Sequence, residues 1–192
     1  MLTSITPLGE RGRGQRWGVT ATALTIGHLA GGAVLGGALA VGSVARRARW
    51  EPSTMSMALL IAAIGIVAAA SDLRGVRLPG RRQVDERWMT TFRGWVYGLG
   101  FGVQLGMGVV TVVNTWLLVA MIGAGLLLDP LSACGIGVGY GAVRALMTLP
   151  VGRVRSVEQL KRVHRGLDRF ERAAGYGTMA VVTAVGAMVV VT

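Results

Sequence analysis

The feature that most constrains this chain is a stretch from Gly94 to Leu128 that contains no charged side chain. A bilayer core of about 30 Å is crossed by roughly 20 apolar helical residues, so this stretch is long enough to cross with residues to spare. Six glycines lie between positions 94 and 108, and Asn114 lies near the centre. Glycine weakens a helix, and a polar side chain can satisfy backbone groups freed at a break. We therefore expect a long, interrupted membrane segment.

The overall composition also indicates a membrane protein. The chain has 192 residues, of which 52% are hydrophobic and only 15% are charged, whereas about a quarter of the residues of a soluble domain are charged. The formal net charge of +11 is carried mostly by arginines between the apolar segments. Because basic blocks beside membrane spans set orientation and meet anionic lipid, we expect a lipid bilayer as the partner and no nucleic acid.

The residue types for catalysis are scarce. Cys134 is the only cysteine, which excludes an internal disulfide and a paired-cysteine redox site. His28 and His164 are too few and too scattered for a metal site of recognisable spacing. The sequence also lacks a phosphate-binding loop, a nucleophile elbow and a zinc-helix motif. We therefore predict that the chain is not an enzyme and holds no metal.

The apolar segments predict an all-α integral membrane protein of five or six transmembrane helices. A basic lead followed by an apolar run resembles a signal peptide, but the first run is far longer than a signal sequence requires, so we read it as a retained span. Residues 1–16 form a polar, loop-like N-terminal segment, and residues 17–192 form a single membrane domain. The predicted spans are about 17–45, 55–70, 94–128, 131–149 and 174–191, with basic loops at 72–93 and 150–173. Within the second basic loop we expect a helix on the membrane surface.

The distribution of basic residues favours one crossing by the stretch 94–128. With one crossing, sixteen of the twenty Lys and Arg side chains share the side of the N-terminus and three lie opposite. With two crossings the bias disappears. The positive-inside rule then predicts five spans in the plasma (inner) membrane, a cytoplasmic N-terminus and an external C-terminus. The exceptions to this topology are Arg46, Arg47 and Arg49.

Two segments of the chain look like copies of one unit. Residues 16–39 and 93–117 both open with Arg and Trp and then reach a glycine-rich centre. A polar side chain lies beside those glycines in each copy, His28 in the first and Gln104 in the second. Paired glycine-interrupted segments are typical of repeat-built transport folds, whose functional centre lies at the repeat interface. The pattern predicts a degenerate internal repeat with broken, glycine-rich helices.

The run FRGWVYGLGFGVQLGMGVVTVVNTWLLVAMIGAG resembles the second-repeat core helix of the CcdA/DsbD-type cytochrome c biogenesis membrane domain. The basic loop with Arg77-Leu78-Pro79 and the closing RFERAAGYGTMAVVTAVGAMVVV resemble the layout of the same family. The resemblance covers most of residues 56–192 and, more loosely, 16–45. It implies a fold related to that family and to its LysE-like transporter relatives.

The chain departs from that family at its redox residues. The family moves electrons through one cysteine in each repeat, next to proline. The matching positions here, near Leu29-Ala30 and Gly106-Met107, have no cysteine, and Cys134 lies on a different span. The resemblance therefore implies the scaffold without thiol–disulfide electron transfer.

Four polar residues are candidates for contact with a substrate or partner: His28, Gln104, Asn114 and Arg144. A histidine within a span is costly unless it is paired; the alternative to function for His28 is a hydrogen bond to a backbone carbonyl or to Gln104. For Gln104 and Asn114, the two interpretations are a functional contact and a hydrogen bond between helices. Arg144 either extends its side chain to the membrane interface or pairs with a substrate or with an acid such as Asp72. We expect no cofactor, with haem or copper bound through His28 and Met107 as an open alternative.

Glycines spaced four apart predict close helix packing. The predicted packing residues are Gly27, Gly31, Gly32, Gly36, Gly102, Gly106, Gly135 and Gly139. Two functions are compatible with the sequence. The first is a non-catalytic integral membrane subunit or assembly factor, with a membrane-protein partner or a homo-oligomer. The alternative is a small secondary transporter or exporter of a small solute or hydrophobic molecule.

Overall fold

Most of the described part of the chain is helical. The computed structural model describes residues 5–76, 85, 87–108, 115–148, 152, 154, 156, 158–159, 161–162 and 165–166. Within these ranges there is no strand, which confirms the all-α prediction. The helices are α1 (Pro7–Gly12), α2 (Trp17–Arg47), α3 (Thr54–Leu73), α4 (Trp88–Thr91), α5 (Gly94–Met107), α6 (Leu117–Leu127) and α7 (Pro130–Leu146). Asn114, the predicted span 174–191 and most of the predicted surface helix lie outside the described residues.

Helices α2 and α3 are long and apolar enough to cross a membrane, by length and composition. Helix α2 has 31 residues and α3 has 20, which correspond to lengths of about 46 Å and 30 Å at 1.5 Å per residue. They coincide with the predicted spans 17–45 and 55–70. The total of five or six crossings stays a prediction.

The uncharged stretch 94–128 is divided into two helices. Helix α5 has 14 residues and ends at Met107, and α6 has 11 residues and begins at Leu117. At about 21 Å and 17 Å, neither helix alone reaches across a 30 Å hydrocarbon core. Gly108 follows α5 with a φ of 71°, a left-handed conformation that glycine adopts without steric cost. The predicted interruption is therefore present, and it begins at this glycine.

The N-terminal segment, predicted to be loop-like, contains a helix. Thr6 is extended and its hydroxyl accepts a hydrogen bond from the Gly9 backbone N–H at 3.0 Å. Pro7 occupies the first helical position, where its missing N–H costs nothing. An N-cap threonine followed by proline is a helix start that composition alone does not indicate.

The chain forms two compact units. The first comprises Met1–Leu35, Arg81–Val112 and Gly137–Asp168, and the second comprises Gly36–Gly80, Val113–Ile136 and Arg169–Thr192. The first unit contains α1, α4, α5 and the beginning of α2. The second contains α3, α6 and the end of α2.

In the second unit, α6 packs against α3 and its first turn is capped by an acid of that helix. The Asp72 carboxylate accepts hydrogen bonds from the Thr115 hydroxyl at 2.6 Å and from the Trp116 backbone N–H at 2.8 Å. The Trp116 indole donates to the Val76 carbonyl at 2.7 Å. A carboxylate at this position complements the positive end of the helix dipole.

The other end of α6 is capped by cationic and hydroxyl donors. The Arg46 guanidinium donates to the Leu126 and Leu127 carbonyls at 2.9 and 3.0 Å. The Ser43 hydroxyl donates to the Leu128 carbonyl at 2.5 Å. Because the last carbonyls of a helix have no partner within it, these bonds satisfy groups that an apolar environment leaves unpaired.

This contact accounts for one exception to the predicted topology. Arg46 lies at the end of α2 and caps the C-terminal end of α6. This role does not depend on the side of the membrane on which Arg46 lies. Arg47 and Arg49 are exposed and stay exceptions to the positive-inside pattern.

We expect Asp72→Ala to lower the free energy of unfolding by about 1 kcal/mol, because α6 loses its N-terminal acceptor. Thermal unfolding in detergent measures this change. Glu51→Ala, which removes an exposed acid, is the control and should leave stability unchanged. Equal stability of the two variants would show that Asp72 does not anchor α6.

Candidate functional site

The centre of the first unit is a close contact between the glycines of α2 and α5. A Cβ placed on Gly27 would lie 2.8 Å from the Gly102 Cα, and a Cβ placed on Gly102 would lie 2.8 Å from the Gly27 Cα. A Cβ on Gly31 would lie 2.8 Å from the Met107 backbone nitrogen. Favourable contacts between carbon atoms begin at about 3.5 Å, so a side chain at these positions would require the two helices to move apart. The two helices are parallel, because the later glycine of α2, Gly31, meets a later residue of α5 than Gly27 does.

A second glycine contact joins α2 to the later part of α7. A Cβ on Gly32 would lie 2.6 Å from the Gly137 carbonyl oxygen and 2.8 Å from the Gly141 Cα. Here the α7 backbone approaches the α2 backbone directly. Small residues allow this approach, which supplies packing energy that hydrophobic burial does not supply within lipid.

The predicted packing residues Gly36, Gly135 and Gly139 differ in what they contact within the described residues. Gly36 does pack, since a Cβ there would lie 2.5 Å from the Cys134 carbonyl oxygen in the second unit. A Cβ on Gly135 or Gly139, in contrast, would meet no atom of the described residues within 4 Å. Residues two apart on a helix point about 200° away from each other, so glycines at every second position cannot all share one face.

His28 is buried within the first glycine contact. Its side chain is 1% exposed, and its Nδ1 lies 2.7 Å from the Leu24 carbonyl oxygen. Its own carbonyl oxygen is the atom that a Cβ on Gly106 or Gly141 would meet. The ring bond is therefore to a neighbouring backbone carbonyl, one of the two partners considered from the sequence.

Within the described ranges, neither Gln104 nor Arg144 is joined to His28 by a hydrogen bond. Gln104 is half-buried and forms no hydrogen bond within the described ranges. Among the same residues, no group of three or more His, Cys, Asp or Glu side chains is placed to hold a metal ion. Haem or copper binding through His28 and Met107 stays an untested alternative.

Arg144 lies in the last turn of α7 and is half-buried. Its guanidinium carbon lies 5.9 Å from the centre of the Tyr140 ring. Asp72, the acid considered as its partner, instead accepts hydrogen bonds from Thr115 and Trp116.

The structure adds a buried acid that the sequence analysis did not identify. Glu10 of α1 is fully buried and accepts hydrogen bonds from the Tyr97 hydroxyl at 2.5 Å and the Thr20 hydroxyl at 2.7 Å. Arg13 forms an ion pair with it at 2.5 Å. Burial disfavours the charge of Arg13, but hydrogen bonds to Glu10 and Tyr97 outweigh this effect and raise its pKa. We call these four residues the Glu10 cluster.

The Glu10 cluster attaches the N-terminal segment to α2 and α5. Ile5 packs in the core of this unit with Leu24 and Phe101. The Gln15 side-chain oxygen accepts a hydrogen bond at 3.0 Å from the backbone N–H of Gly94, the first residue of α5. The helix-start pattern at residues 6–7 and a lone acid among arginines are the features that point to this cluster in the sequence.

The buried polar groups of the described helices thus bind other parts of the same chain. No family model, curated protein or solved structure matches this sequence.

Proposed function

We propose that this chain is a multi-pass protein of the plasma (inner) membrane, with a cytoplasmic N-terminus, that acts as a non-catalytic subunit or assembly factor of a larger membrane complex. On this proposal its scaffold is related to the CcdA/DsbD-type membrane domain and lacks the redox cysteines of that family. Five spans, with one crossing by the stretch 94–128, give the topology that the basic loops favour.

The observation that carries this proposal is the internal use of buried polar side chains. Glu10 binds Tyr97 and Thr20, His28 binds the Leu24 carbonyl, and Ser43 binds the Leu128 carbonyl. A substrate site needs polar groups that converge on the substrate. Here Glu10 and Ser43 connect different helices and the His28 ring is bonded within α2, which supports a structural role.

A partner helix is supported by the outer face of α7. Among the described residues, none fills the space where a side chain of Gly135 or Gly139 would lie, and Leu131 beside them is 83% exposed. Small residues four apart admit a second helix at close range. This face is the place at which we expect a membrane-protein partner.

Purification from the native host in mild detergent, followed by mass spectrometry, tests the proposal. We expect the chain in the membrane fraction together with a stoichiometric membrane-protein partner. Gly139→Leu should reduce the co-purified partner at least several-fold, because the new side chain fills the contact face. Gly18→Leu is the control, since Gly18 on α2 also faces open space. Equal recovery of the partner from both variants would argue against docking on α7.

The second candidate is a small secondary transporter or exporter of a small solute or hydrophobic molecule. The observation in its favour is the break between α5 and α6, since transport sites are commonly formed by discontinuous helices. A monomer or clean homo-oligomer in the same purification would favour transport.

A further inference from the structure

Arg144 is a cation on an apolar helix whose charge is not balanced by a described acid. It lies in the last turn of α7, with Val143, Ala145 and Leu146 around it in sequence. Within the described ranges its guanidinium forms neither a hydrogen bond nor an ion pair. Arginine stays charged at every accessible pH and carries five N–H donors. A half-buried guanidinium in this environment requires an anion or water for those donors.

Tyr140 positions this guanidinium. It lies one helical turn before Arg144, and its ring centre is 5.9 Å from the guanidinium carbon. Its hydroxyl oxygen would lie 2.9 Å from a Cβ placed on Gly108, so the tyrosine is in contact with the end of α5. Cation–π contact uses the flat face of a guanidinium and leaves its N–H edge for an acceptor.

No acid among the described residues supplies the balancing charge. His28, with which Arg144 interacts electrostatically, contributes no negative charge. The guanidinium edge matches two oxygens of a phosphate group. A cation close to the end of an apolar helix lies where lipid headgroups are found, because long basic side chains extend to that interface.

We propose that Arg144, positioned by Tyr140, binds the phosphate of an anionic phospholipid at the end of α7. The site rests on the membrane insertion proposed above and is independent of the choice between subunit and transporter. The bound phosphate neutralises the charge of the arginine. The lipid then lies beside the end of α5, where the stretch 94–128 is interrupted.

The test is lipid binding by the full chain, purified in neutral detergent and titrated with phosphatidylglycerol or phosphatidylcholine under native mass spectrometry. We expect wild type to bind phosphatidylglycerol at least tenfold more tightly than phosphatidylcholine. Arg144→Gln should weaken phosphatidylglycerol binding at least tenfold. Arg47→Gln, which removes an exposed arginine, is the control and should change it less than twofold.

Three results would overturn the site: unchanged binding by Arg144→Gln, equal losses in the Arg144 and Arg47 variants, and displacement of the lipid by millimolar inorganic phosphate, which would indicate a soluble anion. Should Arg144→Gln not fold, Arg144→Lys replaces it. Lysine keeps the positive charge but lacks the planar pair of N–H donors of the guanidinium, so the variant should bind the lipid more weakly than wild type. Binding equal to wild type would count against the arginine–phosphate geometry. A chain recovered without detergent would refute membrane insertion itself, a result distinct from failure at this site.

Discussion

Gly102→Ala is expected to lower the free energy of unfolding by about 3 kcal/mol, the upper end of the usual cost of overpacking. The added methyl group would meet the Leu24 carbonyl oxygen and would lie 2.8 Å from the Gly27 Cα and 2.9 Å from the His28 backbone nitrogen. These are main-chain atoms of α2, which cannot turn away as a side chain can. The helices must therefore separate along their shared face.

The control for this prediction is a substitution with the opposite expected effect on α2, the helix that Gly102 contacts. A Cβ on Gly37 would meet no atom within 4 Å, so Gly37→Ala should stabilise by about 0.5–1 kcal/mol through its helix propensity. Thermal unfolding and gel filtration in detergent measure both variants. A Gly102→Ala protein as stable as wild type would mean that α2 and α5 are not in backbone contact.

Local patterns in the sequence predict much of this fold. The bounds of α2 and α3 follow from runs of apolar residues, which are visible without knowledge of neighbouring helices. The interruption of the stretch 94–128 follows from its excess length and from glycine at its first half. Gly27 and Gly102 were identified as packing residues because their spacing keeps small residues on one helical face.

The remaining features depend on which helix faces which. Every second residue of α7 from Gly135 to Gly141 is glycine, and composition cannot decide whether Gly139 or Gly141 meets α2. The acid at position 10 lies in a polar segment, and one of the donors that satisfy it in the buried state, the Tyr97 hydroxyl, comes from far along the chain. Contacts between residues so distant in sequence leave no local pattern.

Glu10→Ala is expected to detach the N-terminal segment and to lower the free energy of unfolding by about 3 kcal/mol. The substitution leaves the buried hydroxyls of Tyr97 and Thr20 without their acceptor and removes the partner of the Arg13 guanidinium. Such groups cost more when unpaired than their hydrogen bonds contribute when formed. Thermal unfolding in detergent measures the loss.

Limited trypsin digestion separates local detachment from general unfolding, because three basic residues, Arg11, Arg13 and Arg16, follow the acid closely in sequence. In Glu10→Ala we expect cleavage at these sites to accelerate before cleavage elsewhere. Tyr97→Phe, which removes one hydrogen bond, should cost about 1 kcal/mol and accelerate the same cleavage less. Arg11→Ala alters an exposed side chain of α1 and should leave thermal stability unchanged. If Glu10→Ala loses no more stability than Arg11→Ala, the N-terminal segment is held by Ile5 and Gln15 alone, and the buried acid has no role in joining α1 to α2 and α5.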